Sequence, residues 1–161
     1  MTSETEKIYL ADLVGDRILI APADLPKEQV LGQLVKLICQ TDERLNFQEI
    51  LQQILVRETE LSTTLDSGLS IPHARLEGPD KALAALAVLP QPLQEVNGSL
   101  IKAVFLFIAP VRSEFFQTHL RILSTAVEVL SPSFMDKLSA CTTPQAVLQL
   151  LAQAGENGEM I

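Results

Sequence analysis

The sequence predicts an α/β domain of three layers, with helices on both faces of a small sheet. Two observations predict it. Apolar runs of β type and runs with helical spacing follow one another as one strand, two helices, three strands and three helices, β-α-α-β-β-β-α-α-α, which supplies helices for both faces of one sheet. The chain has 161 residues, 47% of them hydrophobic, enough for one domain with a real core and too few for a second.

Residues 1–17 read as an N-terminal arm with one helical turn at 10–14, residues 18–154 as the single domain, and residues 155–161 as a loose tail. Ile18-Leu19-Ile20-Ala21 is a short β-type run closed by Pro22, an edge or first strand. Asp24 offers an N-cap with Pro26 in the first turn, and Val30, Leu31, Leu34, Leu37 and Ile38 recur at helical spacing, which predicts a helix over 26–40. Asn46 and Glu49 form a capping-box-like pair ahead of Phe47, Ile50, Leu51, Ile54 and Leu55, the apolar face of a helix ending at Arg57.

After Gly68 a near-apolar piece leads to Pro72, which fixes its own φ and pushes Ile71 into an extended conformation. His73 is therefore expected at the end of a short strand. Residues 77–80 are a loop. Residues 82–89 are apolar without polar alternation and read as a buried strand stopped by Pro90 and Pro92. Asn97-Gly98 is a turn signal, and residues 103–108, β-branched and aromatic, form a central strand that ends at Pro110. The remainder is helical. Residues 117–130 place Leu120, Leu123, Val127 and Leu130 on one face, Ser131-Pro132 breaks the run, and 134–140 is a short helix. Thr143 with Pro144 opens the last helix, which carries Val147, Leu148 and Leu151.

Composition excludes several classes of function. The net charge is −8 with basic residues scattered, so neither nucleic acid nor an anionic membrane finds the concentrated positive footprint it needs. No apolar run approaches the roughly 18 residues of a membrane span, so no direct membrane insertion is expected. The first residues carry Glu4 and Glu6 and lack the basic-then-apolar order of a secretory signal, which makes the cytoplasm the expected compartment. Cys39 and Cys141 lie far apart in separate helical patterns and read as buried structural thiols. Two histidines without a neighbouring ligand partner make no metal site, and the absence of a Gly-rich phosphate loop argues against a nucleotide; no cofactor is expected.

The chemistry concentrates in one stretch, from Arg57 to Arg75. It brings Ser62, Thr63 and two arginines around His73, the ingredients of an anion or phosphoryl site. Each residue also has a plain structural reading. A histidine after a proline is often a packing residue, and Arg57 suits the C-terminal end of a helix. Ser62 and Thr63 cap turns as readily as they donate to phosphoryl oxygens. Glu58 and Glu60 read as a solvated face. His119, with Ile122, Leu123 and Ala126 at +3, +4 and +7, borders a buried side, where a hydrogen-bonded core-edge role competes with a functional one.

The order Arg57-Glu58, Ser62-Thr63, Gly68, Ile71-Pro72-His73-Ala74-Arg75 resembles the active-site segment of the enzyme IIA domains of the bacterial phosphotransferase system, in its fructose/mannitol/nitrogen-regulatory (PtsN-like) branch. His119-Leu120-Arg121-Ile122-Leu123 resembles that family's His-Leu-x-x-Leu segment. One departure is Ser70, where alanine is usual. The resemblance extends from about residue 18 to about residue 151. It implies a mixed sheet between helical layers and a phosphocarrier in which His73 accepts a phosphoryl group from an HPr-type carrier protein. His119 would orient the His73 ring or the phosphoryl group, and Arg57, Thr63 and Ser62 would bind the phosphoryl oxygens. The group would pass to an enzyme IIB domain or act as a regulatory signal on a target protein, serving sugar transport or nitrogen regulation. The alternative is an interaction domain of the same fold in which His73 is never phosphorylated, acting on a transporter or another partner.

Overall fold

The computed structural model describes residues 7–60, 63–95 and 97–158. In chain order the elements are α1 (Leu10–Val14), β1 (Ile18–Ile20), α2 (Lys27–Cys39), α3 (Phe47–Glu60), β2 (Leu69–Ser70), β3 (His73–Leu76), β4 (Leu83–Gln94), β5 (Leu100–Pro110), a 3₁₀ turn (Ser113–Phe115), α4 (Phe116–Val129), α5 (Pro132–Ser139) and α6 (Pro144–Gly158). The strands make one mixed sheet in the order β1-β4-β5-β2, with β3 following β2 along the same side of β5. β4 and β5 are antiparallel, while β1 pairs with β4 and both β2 and β3 pair with β5 in parallel.

Strand alternation splits the core in two. Phe105 and Phe107 face one way with Leu86 and Val88, and are covered by α1, α4, α5 and α6. Val104, Leu106 and Ile108 face the other way with Ala85 and Ala87, and are covered by α2 and α3. Phe105 and Phe107 are fully buried, and each contributes about 1.5–3 kcal/mol through the apolar surface it removes from water. Because both faces are covered, β4 and β5 read as continuous apolar runs. The three-layer α/β/α architecture is the one predicted.

Several expectations change in detail. The helical turn at 10–14 is a packed element, with Leu10 and Val14 in the core. Asp24 does not cap α2. Pro26 is its N-cap, with no side-chain cap bond, and its carbonyl receives the Gln29 and Val30 amides. Asn46 does cap α3, its Oδ1 accepting from the Glu49 amide at 3.0 Å, but the helix runs three residues past Arg57, to Glu60. Pro90 and Pro92 do not stop β4. Its pairing with β5 shifts register between Val88 and Leu93, and beyond Val88 its other side has no β1 partner, so a missing N–H costs nothing there.

On α4 the buried residues are His119, Ile122 and Ala126, while Leu120 and Val127 are 45% and 48% exposed, so the predicted face is turned outward by about one position. The short fifth helix begins at Pro132, capped by Ser131. α6 continues through the expected start of the loose tail, to Gly158, and residues 159–161 lie outside the described residues. Cys39 and Cys141 are free and half-buried instead of buried. No helix among the described residues is long and apolar enough to cross a membrane.

Candidate functional site

The strand expected to end at His73 is two strands. β2 stops at Ser70, Ile71 and Pro72 interrupt the pairing, and β3 starts at His73, opposite Phe107 of β5. The break has a local cause. Pro72 has no N–H to give to a ladder, yet its carbonyl accepts the Phe107 amide at 3.1 Å, so pairing resumes one residue before the histidine.

The His73 ring is fixed on three sides. Its Nδ1 lies 2.8 Å from the Ile71 carbonyl oxygen. A carbonyl only accepts, so Nδ1 carries the hydrogen and donates it, and the neutral ring keeps its lone pair on Nε2. One face stacks on Phe107, with centroids 5.1 Å apart and planes within 8°. The His119 ring meets it at 5.1 Å with a 61° angle, and itself lies 5.4 Å from Phe107. His73 and His119 are 7% and 8% exposed, so only a rim of each reaches the surface.

That rim borders a cleft of about 670 Å³. α3 lines one side with Glu49, Gln52, Gln53, Val56 and Arg57; β3 contributes His73, Ala74 and Arg75; α4 contributes His119. The α3 residues share one face because 49, 53 and 56–57 recur at helical spacing. That spacing was available once Arg57 had been singled out, although Glu49 was read only as a capping residue and Gln52, Gln53 and Val56 were not singled out. Arg75 is anchored at the mouth: its Nη2 donates to the carbonyls of Val111 at 3.1 Å and Arg112 at 3.2 Å, and its guanidinium lies 5.7 Å from the Phe116 ring centroid. It thereby ties β3 to the turn that leads into α4. Arg75 Nε and His119 Nδ1 are buried without a hydrogen-bond partner.

Burial pushes the His73 pKa below its ordinary value; the Ile71 hydrogen bond opposes this, the Arg57 charge adds to it, and the Glu58 charge opposes it. Burial also pushes His119 down, to about 4, with further depression from His73, Arg75 and Arg57. Both rings are therefore neutral at neutral pH, and the Arg57 charge acts on both.

Of the residues singled out in the sequence, Arg57, His73 and His119 meet at this cleft. Thr63 is not among the side chains that line it; its hydroxyl donates to Glu58 Oε2 at 2.7 Å. Ser62 lies outside the described residues. Glu58 is not on a solvated face: its side chain is 5% exposed and paired with Lys27 at 2.9 Å. Among the described residues no group of three or more His, Cys, Asp or Glu side chains is placed to hold a metal ion.

A neutral imidazole with an unprotonated Nε2, sharing a cleft with two guanidinium groups, has the nucleophile and the positive charge that an anionic group would meet there. It sits on a three-layer α/β/α frame, which defines the class as small α/β domains with a histidine-centred cleft. The chain belongs to the family described as "Phosphoenolpyruvate-dependent sugar phosphotransferase system, EIIA 2", whose sequence model matches residues 15–154. A nitrogen regulatory protein of Pseudomonas aeruginosa is 26% identical over 150 residues, spanning 91% of this chain and 96% of that protein. Among solved structures, the nitrogen regulatory protein IIA-Ntr from Neisseria meningitidis superposes with a TM-score of 0.74 at 20% identity, over 88% of this chain and 98% of that one. The enzyme IIA of the Escherichia coli mannitol system, solved in complex with phosphorylated enzyme IIB, superposes with a TM-score of 0.68 at 18% identity, over 88% and 97%. At those identities the two structures establish the fold.

Proposed function

We propose that the protein is a phosphocarrier of the phosphoenolpyruvate-dependent phosphotransferase system and that His73 is its phosphoryl acceptor. The observation that carries this reading is the 2.8 Å hydrogen bond from Nδ1 to the Ile71 carbonyl, which leaves the Nε2 lone pair available. In the proposed step, Nε2 attacks the phosphorus of a phosphohistidine on an HPr-type carrier. The donor's N–P bond breaks as the new one forms, and the donor ring leaves with the electron pair. No proton moves. The positive charge that develops on the His73 ring is steadied by the Nδ1–H bond to Ile71, and the phosphoryl oxygens are balanced by Arg57, with His119 orienting ring and group. Of the two hydroxyl candidates from the sequence, Thr63 and Ser62, the Thr63 hydroxyl proton is held by Glu58.

Protein docking is supported by the apolar surroundings of the cleft: Val56, Val111, Phe116 and Leu120 are each 43–49% exposed. By analogy with the mannitol enzyme IIA, seen with enzyme IIB, the onward recipient is an enzyme IIB domain or a regulatory target. A relative named as a nitrogen regulatory protein and matched over nearly its whole length favours the regulatory output. On this reading the protein works in the cytoplasm, without metal or organic cofactor.

The test is to incubate the protein with phosphoenolpyruvate, enzyme I and carriers of the sugar and nitrogen branches. Acid-labile, alkali-stable phosphate should appear on the wild type and be absent from His73→Ala. Lack of label with every donor would instead favour an interaction domain that is never phosphorylated.

A further inference from the structure

Next to the cleft residue Arg57, side-chain contacts link Ser70, Thr63, Glu58, Lys27 and Glu95. Lys27 Nζ donates to Glu95 Oε2 at 2.6 Å and to Glu58 Oε1 at 2.9 Å, while the Thr63 hydroxyl donates to Glu58 Oε2 at 2.7 Å. Thr63 Oγ1 and Ser70 Oγ are 3.4 Å apart. Counting hydrogens fixes the direction: the one Thr63 hydroxyl proton is already on Glu58, so Ser70 donates to Thr63. Ser70 is fully buried, the Glu58 side chain is 5% exposed, and both Glu58 oxygens are satisfied. Buried polar groups persist only when bonded, so the chain holds together as a unit.

Its position matters more than its strength. Glu58 follows Arg57 in the last turn of α3, and successive helical residues point about 100° apart, so pinning Glu58 inward turns Arg57 to the cleft. At the other end, Ser70 closes β2, three residues before His73. The backbone repeats the tie there, with the Thr63 carbonyl accepting the Ile71 amide at 3.4 Å and Leu65 donating to Leu69 at 2.8 Å. The Ser70 hydroxyl supplies the terminal donor.

We propose that Glu58, Thr63 and Ser70, anchored by Lys27, are positioning residues that hold Arg57 in register with His73, and that the Thr63 hydroxyl serves Glu58 in this role and is not a phosphoryl ligand. The register is needed for phosphoryl transfer, so the inference rests on the phosphocarrier reading. Among the described residues, the charged and titratable groups that line the cleft with His73 are Glu49 and Arg57 on α3, Arg75 on β3 and His119 on α4, and the Glu58 charge acts on His73 from behind Arg57.

The experiment uses the full chain with Thr63→Val, Thr63→Ser and Glu58→Gln, each checked for an intact fold by amide spectra. Two quantities are read: the single-turnover rate of phosphoryl acceptance from a phosphorylated carrier, and the His73 titration midpoint from ring ¹⁵N resonances. Thr63→Val should slow acceptance about 10- to 100-fold, the scale on which small displacements act, while Thr63→Ser should recover most of the loss because the hydroxyl is restored. Glu58→Gln keeps one of the two acceptor oxygens and removes the charge that favours protonated His73, so the midpoint should fall. Wild-type rate in Thr63→Val, or equal slowing in Thr63→Ser, overturns the proposal. If wild type takes no label from any donor, the phosphocarrier reading fails by itself. The titration of Thr63→Val then decides the positioning chain: displacing Arg57 should raise the His73 midpoint, and an unmoved midpoint overturns it.

Discussion

Acid should destabilise this protein through His119, and His119→Phe should remove much of that sensitivity. The folded environment holds His119 at about 4 against an ordinary value of 6.5, first because it is buried and then because His73, Arg75 and Arg57 oppose a further positive charge. Between those values the unfolded chain binds a proton that the folded chain refuses, so stability rises with pH across the window. The contribution is complete above about pH 6.5 and is lost as pH falls towards about 4. At 1.36 kcal/mol per pH unit the interval from 6.5 to about 4 corresponds to about 3 kcal/mol for an enclosed group. The ring's rim opens on a wet cleft, so solvent screening reduces the expected loss to about 1–2 kcal/mol. Phenylalanine keeps an aromatic ring against Phe107 and His73, deletes the titration, and removes the buried Nδ1 that has no partner. Urea unfolding of both proteins at about pH 7.5 and about pH 4.5 reads the difference directly. Wild type should lose about 1–2 kcal/mol more than the variant. His73 is also depressed and titrates in both proteins, so a residual acid dependence of the same sign should remain in His119→Phe. Equal losses in the two proteins, or a His119 ring resonance that titrates at the ordinary value, would refute the reasoning.

Two further substitutions probe the frame and the cleft. Gly68 has φ +99°, and a Cβ there would lie 3.0 Å from Lys102 Cγ and 3.4 Å from the Leu100 carbonyl oxygen, so Gly68→Ala should cost about 1–3 kcal/mol in a denaturation curve. A cost within error of zero would mean that the turn relaxes freely. Arg57→Ala should slow phosphoryl acceptance on His73 about 100-fold, with Arg57→Lys recovering part of it, since one pre-placed cation facing the phosphoryl oxygens is lost. It should also raise the titration midpoints of both His73 and His119, because the Arg57 charge depresses each; midpoints that stay put would remove Arg57 from the site.

What the sequence revealed of the fold was whatever a short window contains. The Asn46 cap, the Asn97-Gly98 turn and the apolar runs of β4 and β5 are local signals, and each is realised: Gly98 donates to the Glu95 carbonyl at 2.9 Å with φ +92°, and Ser99 N–H donates to Asn97 Oδ1. The misreadings come where a neighbour distant in sequence decides. Pro90 and Pro92 looked like stops because a proline cannot serve a ladder on both sides, but β1 is only three residues long and leaves that side of β4 unpaired. Leu120 and Val127 looked like core because apolar spacing alone does not say which of two adjacent stripes meets the sheet. The stripe that does is the one carrying His119, which sits on Phe107.

The site divides along the same line. His73 was legible because Pro72 constrains the backbone locally, and Arg57 and His119 were legible through the family pattern. The polar chain was not. Glu58 read as a solvated carboxylate because its partners are Lys27, 31 residues earlier, and Thr63, five residues later and outside the helix, while Lys27 is shared with Glu95, 68 residues away. A charged residue at a helix end is exposed by default, and only tertiary pairing makes its burial tolerable. The consequence reaches the chemistry: a threonine that sequence reasoning places among the phosphoryl ligands has its only hydroxyl proton engaged by that hidden carboxylate. For Thr63 to donate to a phosphoryl group it would have to leave Glu58 with an unsatisfied buried oxygen, at a cost of about 1–3 kcal/mol or more for a charged acceptor. Arg57 lines the cleft and its charge already acts on both imidazole rings, which makes it the stronger candidate for the incoming charge.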